Sequence, residues 1–151
     1  MRYNVLPKIE WEIPTEQSFE NEEVQGYLTP LFDFKKGEFI TDASGSIVVD
    51  DGQKGMANLI EKIHHAHRGA YRVYTDEYGS DVRNVLIDSG INEAGRISLV
   101  KEAIRDSLIY DDRIIDVSEI EITKDAKDAY IASYIVYTIY GNVNVRREVK
   151  A

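Results

Sequence analysis

Cysteine is absent from the 151 residues, and proline (3), methionine (2) and tryptophan (1) are scarce. The lack of cysteine excludes disulfides, thiolate zinc sites and cysteine nucleophiles, which suits a reducing compartment. No apolar stretch approaches the roughly 20 residues that span a bilayer. The first residues, Met1 to Asn4, also lack the apolar core of a signal peptide. We therefore expect neither secretion through a signal peptide nor insertion into a membrane.

Positive charge is also in short supply. The chain has 18 Lys and Arg against 27 Asp and Glu, a formal net charge of -9. A field of this sign repels phosphate backbones and anionic lipid, so neither nucleic acid nor a membrane is expected as a partner. The hydrophobic fraction of 43% and the charged fraction of 30% are ordinary for a folded protein. Length and composition together favour a single folded domain.

The first 25 residues form an acidic segment with six Glu against one Arg and one Lys. Apolar and polar residues alternate around Trp11, and Pro7 and Pro14 disfavour a helix there. We predict an acidic, extended N-terminal arm over residues 1–29, with Trp11 as an apolar contact, ahead of one domain over residues 30–151. A solvated terminus without a fixed partner is the alternative.

Two helices are predicted from apolar residues that recur at three-to-four-residue spacing. The first spans about residues 52–66, with Asp50 or Asp51 as its cap and Gly69 as its stop. The second begins near Asn92 and ends around residue 110. The stripes that define the two helices are Met56, Leu59, Ile60 and Ile63, and Ile97, Val100, Ala103, Ile104, Ser107 and Leu108.

Two adjacent carboxylates follow the second helix, Asp111 and Asp112, where negative charge opposes the helix dipole. Arg113 is the cation that can compensate them. Two pairings remain open for Arg113, an internal one with Asp111 and one with a carboxylate of a neighbouring subunit.

Most of the other segments have strand patterns. Short strands are predicted between residues 31 and 49 and at Tyr71–Tyr74, and longer ones at 114–117, 120–122 and 130–140. The run at 130–140 is apolar or aromatic on both faces, which predicts a central strand. A last alternating segment, Val143 to Val149, is also expected to be extended. The predicted class is α+β, with two main helices packed on a mixed, mostly antiparallel sheet and extended N- and C-terminal segments.

Catalytic patterns are weak. The three histidines are His64, His65 and His67, of which His64 and His67 would share one helix face at a spacing that can hold a metal. A zinc site needs three or four ligands and the sequence has no HExxH pattern, so we predict no metal site and no cofactor. A glycosidase needs two carboxylates about 5–9.5 Å apart. The candidates, Asp76/Glu77, Asp111/Asp112 and Glu119/Glu121, each have an ordinary role in a turn, a helix end or a strand. We predict no catalytic residues; the ten Tyr, four Phe and one Trp instead favour protein contacts.

The order of several short motifs resembles a known family. The motifs are Phe34-Lys35-Lys36-Gly37-Glu38-Phe39, Asp51-Gly52, Arg68-Gly69-Ala70-Tyr71-Arg72-Val73-Tyr74, Tyr78-Gly79, Glu102-Ala103-Ile104 and Leu108 to Ile114. Over about residues 30–145 the chain resembles the baseplate wedge proteins of contractile phage tails. It is most similar to the branch of Gram-positive prophages and phage-tail-like bacteriocins, which is related to the small "lysozyme-like" T4 wedge subunit. A Glu-Pro-Arg signature of that family corresponds here to Asp111-Asp112-Arg113.

The resemblance implies a sheath initiator, a non-enzymatic protein present in six copies around the tail tube. It implies assembly in the bacterial cytoplasm and partners among the other wedge proteins, the sheath protein and the tail tube or hub. Exposed strands would template the first sheath ring by strand augmentation, which needs main-chain hydrogen bonds and no active site. The predicted contact residues are Trp11, Asp111, Asp112, Arg113, Val143, Val145, Arg146 and Arg147. The alternatives are a cell-wall glycan hydrolase and a cytoplasmic adaptor protein.

Overall fold

The structure is a computed structural model that describes residues 27–150. Four two-residue strands come first, three helices follow, and three long strands complete the chain. In order these are β1 (Thr29–Pro30), β2 (Phe32–Asp33), β3 (Glu38–Phe39), β4 (Val49–Asp50), α1 (Gln53–His65), α2 (Val82–Ile87), α3 (Glu93–Ile109), β5 (Ile114–Lys124), β6 (Tyr130–Thr138) and β7 (Gly141–Val149).

The four short strands form two antiparallel ribbons, β1 with β4 and β2 with β3. The turn between β2 and β3 is held by Asp33, whose Oδ1 accepts the N–H groups of Lys35 and Lys36 at 2.9 and 3.1 Å. Gly37 completes this turn at φ 76°, a region that glycine adopts without strain. The predicted series of short strands and turns is confirmed.

Helix α1 begins as predicted, because the Asp50 carboxylate accepts the N–H groups of Gly52 and Gly55 at 3.0 and 2.6 Å. Its apolar stripe is buried. The predicted end near residue 66 is confirmed, since the helix ends at His65 and Ala66 is its C-cap, but the predicted role of Gly69 as the stop is wrong. Gly69, at φ 72°, instead lies in a turn that follows a bridge to the chain near Ser80.

The strand predicted at Tyr71–Tyr74 is also wrong. This segment forms turns, the Tyr74 N–H donates to the C=O of Tyr71 at 3.2 Å, and Val73 is 82% exposed. The ring centre of Tyr74 lies 6.1 Å from that of Tyr71 and 4.3 Å from that of Tyr78. The aromatic residues that suggested a strand pack against one another, and no strand in the described part of the chain pairs with them.

Helix α3 confirms the second predicted helix. It begins near Asn92 as predicted, and the side-chain oxygen of Asn92 caps it by accepting the N–H of Gly95 at 2.8 Å. Val100, Ile104 and Leu108 of its stripe are buried. The short helix α2 between the two main helices was not predicted.

The long strands form one sheet in the order β5-β6-β7, with β6 at the centre as predicted. Strand β5 runs continuously through the two strands predicted there. Both pairings are antiparallel, because short turns join the strands as hairpins. Among residues 27–150, parallel pairing is limited to the bridge between His67 and Ser80, so the expected mixed sheet is antiparallel throughout. The expected α+β class is confirmed.

The core lies between one face of this sheet and helices α1 and α3. The buried residues at its centre are Met56, Ile60, Val100, Ile104, Leu108, Val117, Ala132 and Val136. On the opposite face of β6, Ile131, Ile135 and Tyr137 are only half-buried. None of the helices in the described part of the chain is long and apolar enough to cross a membrane.

Candidate protein-interaction site

The outer edge of β7, which we call the open edge, is regular. Strand β7 pairs with β6 along its whole length without a register shift. Backbone groups of successive strand residues point alternately to the two sides. Gln53 marks the outward side, since its amide nitrogen donates to the C=O of Asn142 at 2.6 Å. The backbone groups of Asn144, Arg146 and Glu148 therefore face outward, and no strand within the described residues pairs with them.

The outer edge of β5, which we call the closed edge, is irregular. Strand β5 has two register shifts against β6, and Glu119 within it adopts φ 54°. Arg105 of α3 donates to the C=O of Val117 at 3.2 Å and to the carboxylate of Asp116 at 2.7 Å. Bulges bend an edge away from a partner strand, and the Arg105 side chain occupies a carbonyl that a partner strand would need.

The four predicted contact residues of β7 lie on two faces of the sheet. Val143 is buried and Val145 is half-buried, both on the face that packs against the helices. Arg147 shares that face, with its side chain 21% exposed. Arg146 is exposed on the other face. The segment is thus a strand of this chain's own sheet. Its valines pack towards the core, and its outer edge has no partner strand within residues 27–150.

Arg113 pairs internally with Asp111, the first of the two pairings that the sequence left open. The Arg113 residue is 6% exposed, and its Nε and Nη2 donate to the two Asp111 carboxylate oxygens at 2.9 and 2.8 Å. Burial acts to raise the pKa of Asp111, but hydrogen bonds from the Arg113 side chain and backbone outweigh it and hold that pKa below its usual value. Asp112 is exposed, and its contact with another subunit stays a prediction.

Arg113 also forms part of the wall of an aromatic groove of about 540 Å³. Its guanidinium lies 4.4 Å from the ring centre of Tyr27, and its Nη1 donates to the hydroxyl of Thr29 at 3.3 Å. The remaining side chains that line this aromatic groove include Phe32, Phe34, Phe39, Leu59, Lys62 and Tyr74. The groove lies where the predicted N-terminal arm joins the domain.

Trp11 lies outside the described residues, so its predicted role in a contact stays a prediction. The same holds for most of the predicted arm over residues 1–29. The expected boundary between residues 29 and 30 falls within β1, which pairs with β4.

Comparison with known proteins decides the family. The family model of the contractile injection system sheath initiator matches residues 28–141, which is most of the chain. The chain belongs to this family. It is also similar to the phage-like element PBSX protein XkdS of Bacillus subtilis (strain 168), with 26% identity over 141 residues that cover 93% of each chain. The protein is thus a structural sheath initiator of a contractile injection system, a component that interacts with other tail or sheath components.

The carboxylate pairs considered for glycoside hydrolysis have other surroundings in this sheath initiator. Asp76 and Glu77 are exposed in a turn, and Glu119 and Glu121 are exposed on β5. Asp111 is bound to a guanidinium that lowers its pKa. A general acid needs the opposite change, a raised pKa beside an apolar wall, and the Asp111 site does not provide it.

The histidines of the sheath initiator make contacts within the chain. The hydroxyl of Tyr134 forms a short hydrogen bond with Nε2 of His64. Burial lowers the pKa of His64 to about 3, and the charges of Arg147 and His65 act in the same direction. The imidazole is therefore a neutral acceptor for the Tyr134 hydroxyl, whose pKa is raised by burial. His65 pairs with Glu61 at 3.0 Å, and no metal-binding group occurs among residues 27–150.

Two features that shape the surfaces of the sheath initiator were not predicted from its sequence. One is the contact of Arg105 with the closed edge, and the other is the aromatic groove. The Phe residues of the groove were visible as strand formers, but their convergence depends on the two ribbons folding against α1. The position of Arg105 on the polar face of α3 gave no signal that it bonds a strand carbonyl.

Proposed function

We propose that this sheath initiator starts the first sheath ring by accepting a strand of a sheath subunit on the open edge of β7. Main-chain hydrogen bonds to such an edge supply affinity, and alternate side chains set the register. The absence of register shifts in β7 supports this assignment, because an added strand needs a regular ladder. The regularity of β7, set against the irregular and capped β5, is the observation that carries the proposal.

The side chains of the open edge support the same role. Asn144, Arg146 and Glu148 project from β7 on the face opposite the helices and alternate polar groups of different charge. Charged and polar side chains on an edge strand keep it soluble and discourage unspecific pairing until a matching strand arrives. Val143 and Val149, buried against the core, hold the strand in place.

The finer placement is part of the same proposal. The chain acts as a wedge subunit of the T4 "lysozyme-like" branch, in six copies around the tube, and assembles in the bacterial cytoplasm. It has no enzymatic role. Its partners are other wedge proteins, the sheath protein and the tube or hub, with Trp11, Asp112 and Arg146 among the contact residues. Six copies would multiply modest single contacts through avidity. The supports are the family match and the resemblance over residues 30–145.

A proline at residue 144 tests the open edge. The N–H of Asn144 points outward, so Asn144→Pro removes a donor of the open edge while the hydrogen bonds between β6 and β7 remain. Purified baseplates that carry Asn144→Pro should lose sheath initiation by at least about tenfold, because the ring blocks the added strand sterically and removes a main-chain donor. The measurement is the number of baseplates bearing sheath, counted by electron microscopy.

The matched control is Lys124→Pro, which places the same ring at an outward-facing residue of the closed edge. It should leave sheath initiation within about twofold of the wild-type value, since surface substitutions outside a contact have small effects. Normal initiation by Asn144→Pro, in a protein that keeps its wild-type melting temperature, would contradict the proposal.

A further inference from the structure

A small cavity lies beside the open edge, on the face of the sheet that meets the helices. It has a volume of about 50 Å³ and is enclosed by the end of α1, the start of α2 and the last residues of β7. One buried water needs about 10–15 Å³, so the cavity has room for one small polar group, such as a carboxylate, but not for a cofactor or a sugar ring. We call it the basic cavity, because its lining includes His67, Arg83, Arg147 and Lys150.

The charge of the basic cavity is opposite to that of the molecule. Lys150 forms an ion pair with Glu148 at 3.3 Å, and the Glu148 side chain projects from the opposite face of the sheet. The charges on the helix side are therefore those of Arg83 and Arg147, with Glu61 as the acidic group beside Arg147. His64 also lines the cavity but stays neutral, since burial lowers its pKa to about 3. The cavity thus has an excess of one positive charge in a protein whose net charge is -9. A local excess of this sign attracts an anion.

Arg147 has a donor that is not satisfied. Its Nη1 is buried and has no hydrogen-bond partner within the described part of the chain. The nearest acidic oxygen, Oε2 of Glu61, lies 3.6 Å away, beyond hydrogen-bond distance. A buried donor without a partner costs free energy, and the planar guanidinium fits the two oxygens of a carboxylate. The chemistry of the site therefore matches a carboxylate.

The basic cavity is within reach of a strand added to the open edge. Arg147 lies on the helix side of β7, and the backbones of its neighbours Arg146 and Glu148 face the open edge. In an added strand every second side chain points to the same side as Arg147. Directly opposite residues of neighbouring strands have Cβ atoms about 4.5–5.5 Å apart. One side chain of the added strand consequently lies beside Arg147.

We propose that the strand accepted by β7 carries an Asp or Glu side chain opposite Arg147, and that the basic cavity binds its carboxylate. This inference rests on the proposed function and names what the open edge selects. Backbone pairing alone accepts any register, and a shift by one residue turns the side chains to the other face. A carboxylate held by Arg147 and Arg83 fixes one register of the sheath strand.

The test uses the full chain and the monomeric sheath protein of the same particle, with the dissociation constant measured at low and at high salt. Arg147→Gln should weaken binding about 30-fold, since it removes the buried partner of a hydrogen-bonded charge pair. Arg83→Glu, at an exposed residue of α2, should weaken it about fivefold at low salt and less at high salt. The control Arg72→Glu, at an exposed residue of the loop before α2, changes the net charge equally and should stay within about twofold.

A second arm identifies the acidic partner. Each Asp or Glu in the sheath segment that pairs with β7 is changed to its amide. One of these changes should weaken binding to the wild-type protein about 30-fold and weaken binding to Arg147→Gln by less than about threefold. If the effects of Arg147→Gln and of the amide substitution on the binding free energy are additive at every acidic residue of the segment, the inference is overturned. If Arg147→Gln unfolds, the same cycle with Arg83→Glu decides the question.

The outcomes separate this inference from the proposed function. If Asn144→Pro abolishes sheath binding while Arg83→Glu and Arg147→Gln bind with wild-type affinity, the open edge accepts a strand but the basic cavity does not select a carboxylate. If Asn144→Pro binds sheath with wild-type affinity, the proposed function itself fails.

Discussion

The two edges of the sheet differ although they flank the same central strand. The closed edge has two register shifts, a residue at φ 54° and a carbonyl bonded by Arg105. The open edge has a regular ladder, and its one group occupied by another part of residues 27–150 is the C=O of Asn142, which accepts from Gln53. Proteins normally protect both edges of a sheet, since exposed edges invite pairing. A sheet with one protected edge and one regular edge is suited to pairing with a further strand at the regular edge only.

The two edges are also stabilised by different contacts. The closed edge is fixed by contacts with α3 and by the buried pair of Asp111 and Arg113 at its start. The open edge is supported by Val143 and Val149, and beneath it lies the hydrogen bond between His64 and Tyr134. The contacts that stabilise the two edges involve different residues. A substitution can therefore destabilise one edge and leave the other unchanged.

The largest expected effect concerns the start of the closed edge. Asp111→Asn leaves the guanidinium of Arg113, a residue that is 6% exposed in the folded protein, without its charged partner, and should lower the free energy of unfolding by about 3 kcal/mol. Because the C=O of Arg113 accepts the N–H of Ile139 at 3.0 Å, the start of the β5–β6 pairing should loosen as well. Urea unfolding measures the loss.

Asp112→Asn is the control for Asp111→Asn. The two carboxylates are adjacent, but Asp112 is exposed, so its removal should change the free energy of unfolding by less than about 0.5 kcal/mol. Equal small effects of the two substitutions would show that the internal pair does not anchor the closed edge. The predicted contact of Arg113 with a neighbouring subunit would then be the better explanation for this residue.

A smaller effect is expected beneath the open edge when the pH falls from about 6.5 to about 5. The pKa of His64 is about 3 in the folded protein, against 6.5 as its ordinary value. Between these values the unfolded chain binds a proton that the folded protein does not, so stability is complete above pH 6.5 and falls as the pH is lowered. The slope should approach about 1.4 kcal/mol per pH unit. His64→Gln, which still offers an acceptor to Tyr134, should remove most of this slope.

Leu59→Ala provides the reference for His64→Gln. It removes buried apolar contacts of α1 without removing a titrating group, so the free energy of unfolding should fall by about 2–5 kcal/mol at every pH with the slope retained. An unchanged slope in His64→Gln would mean that another group governs the loss of stability in acid.

The parts of the fold that sequence predicts are those with local signals. The apolar stripes of α1 and α3 and the two-sided apolar pattern of β6 each lie within one element, and each was predicted correctly. The strand at Tyr71–Tyr74 was predicted from the same kind of signal and is wrong, because strand-forming residues need a partner strand that the fold does not place there. Helix α2, six residues long, is too short to show a period.

The features of the site depend on contacts across the chain. The sequence indicated β7 and Arg113 as contact elements. It did not reveal that Val143 is buried, or which of the two possible partners Arg113 has. The difference between the edges was not predictable. It arises from Arg105 reaching Val117, 12 residues away, and from register shifts that an alternating pattern does not reveal.

The smallest expected effect tests whether Arg105 protects the closed edge. Arg105→Met keeps the aliphatic stem but leaves the C=O of Val117 without its donor and Asp116 without its ion pair. Both side chains of that pair are partly exposed, so the loss of stability should be below about 1 kcal/mol. Amide hydrogen exchange should become faster in β5 and stay unchanged in β7. Arg72→Met, at an exposed loop residue, is the control and should alter neither strand. Equal acceleration in both strands would mean that Arg105 stabilises the whole sheet, and the closed edge would then depend on its bulges alone.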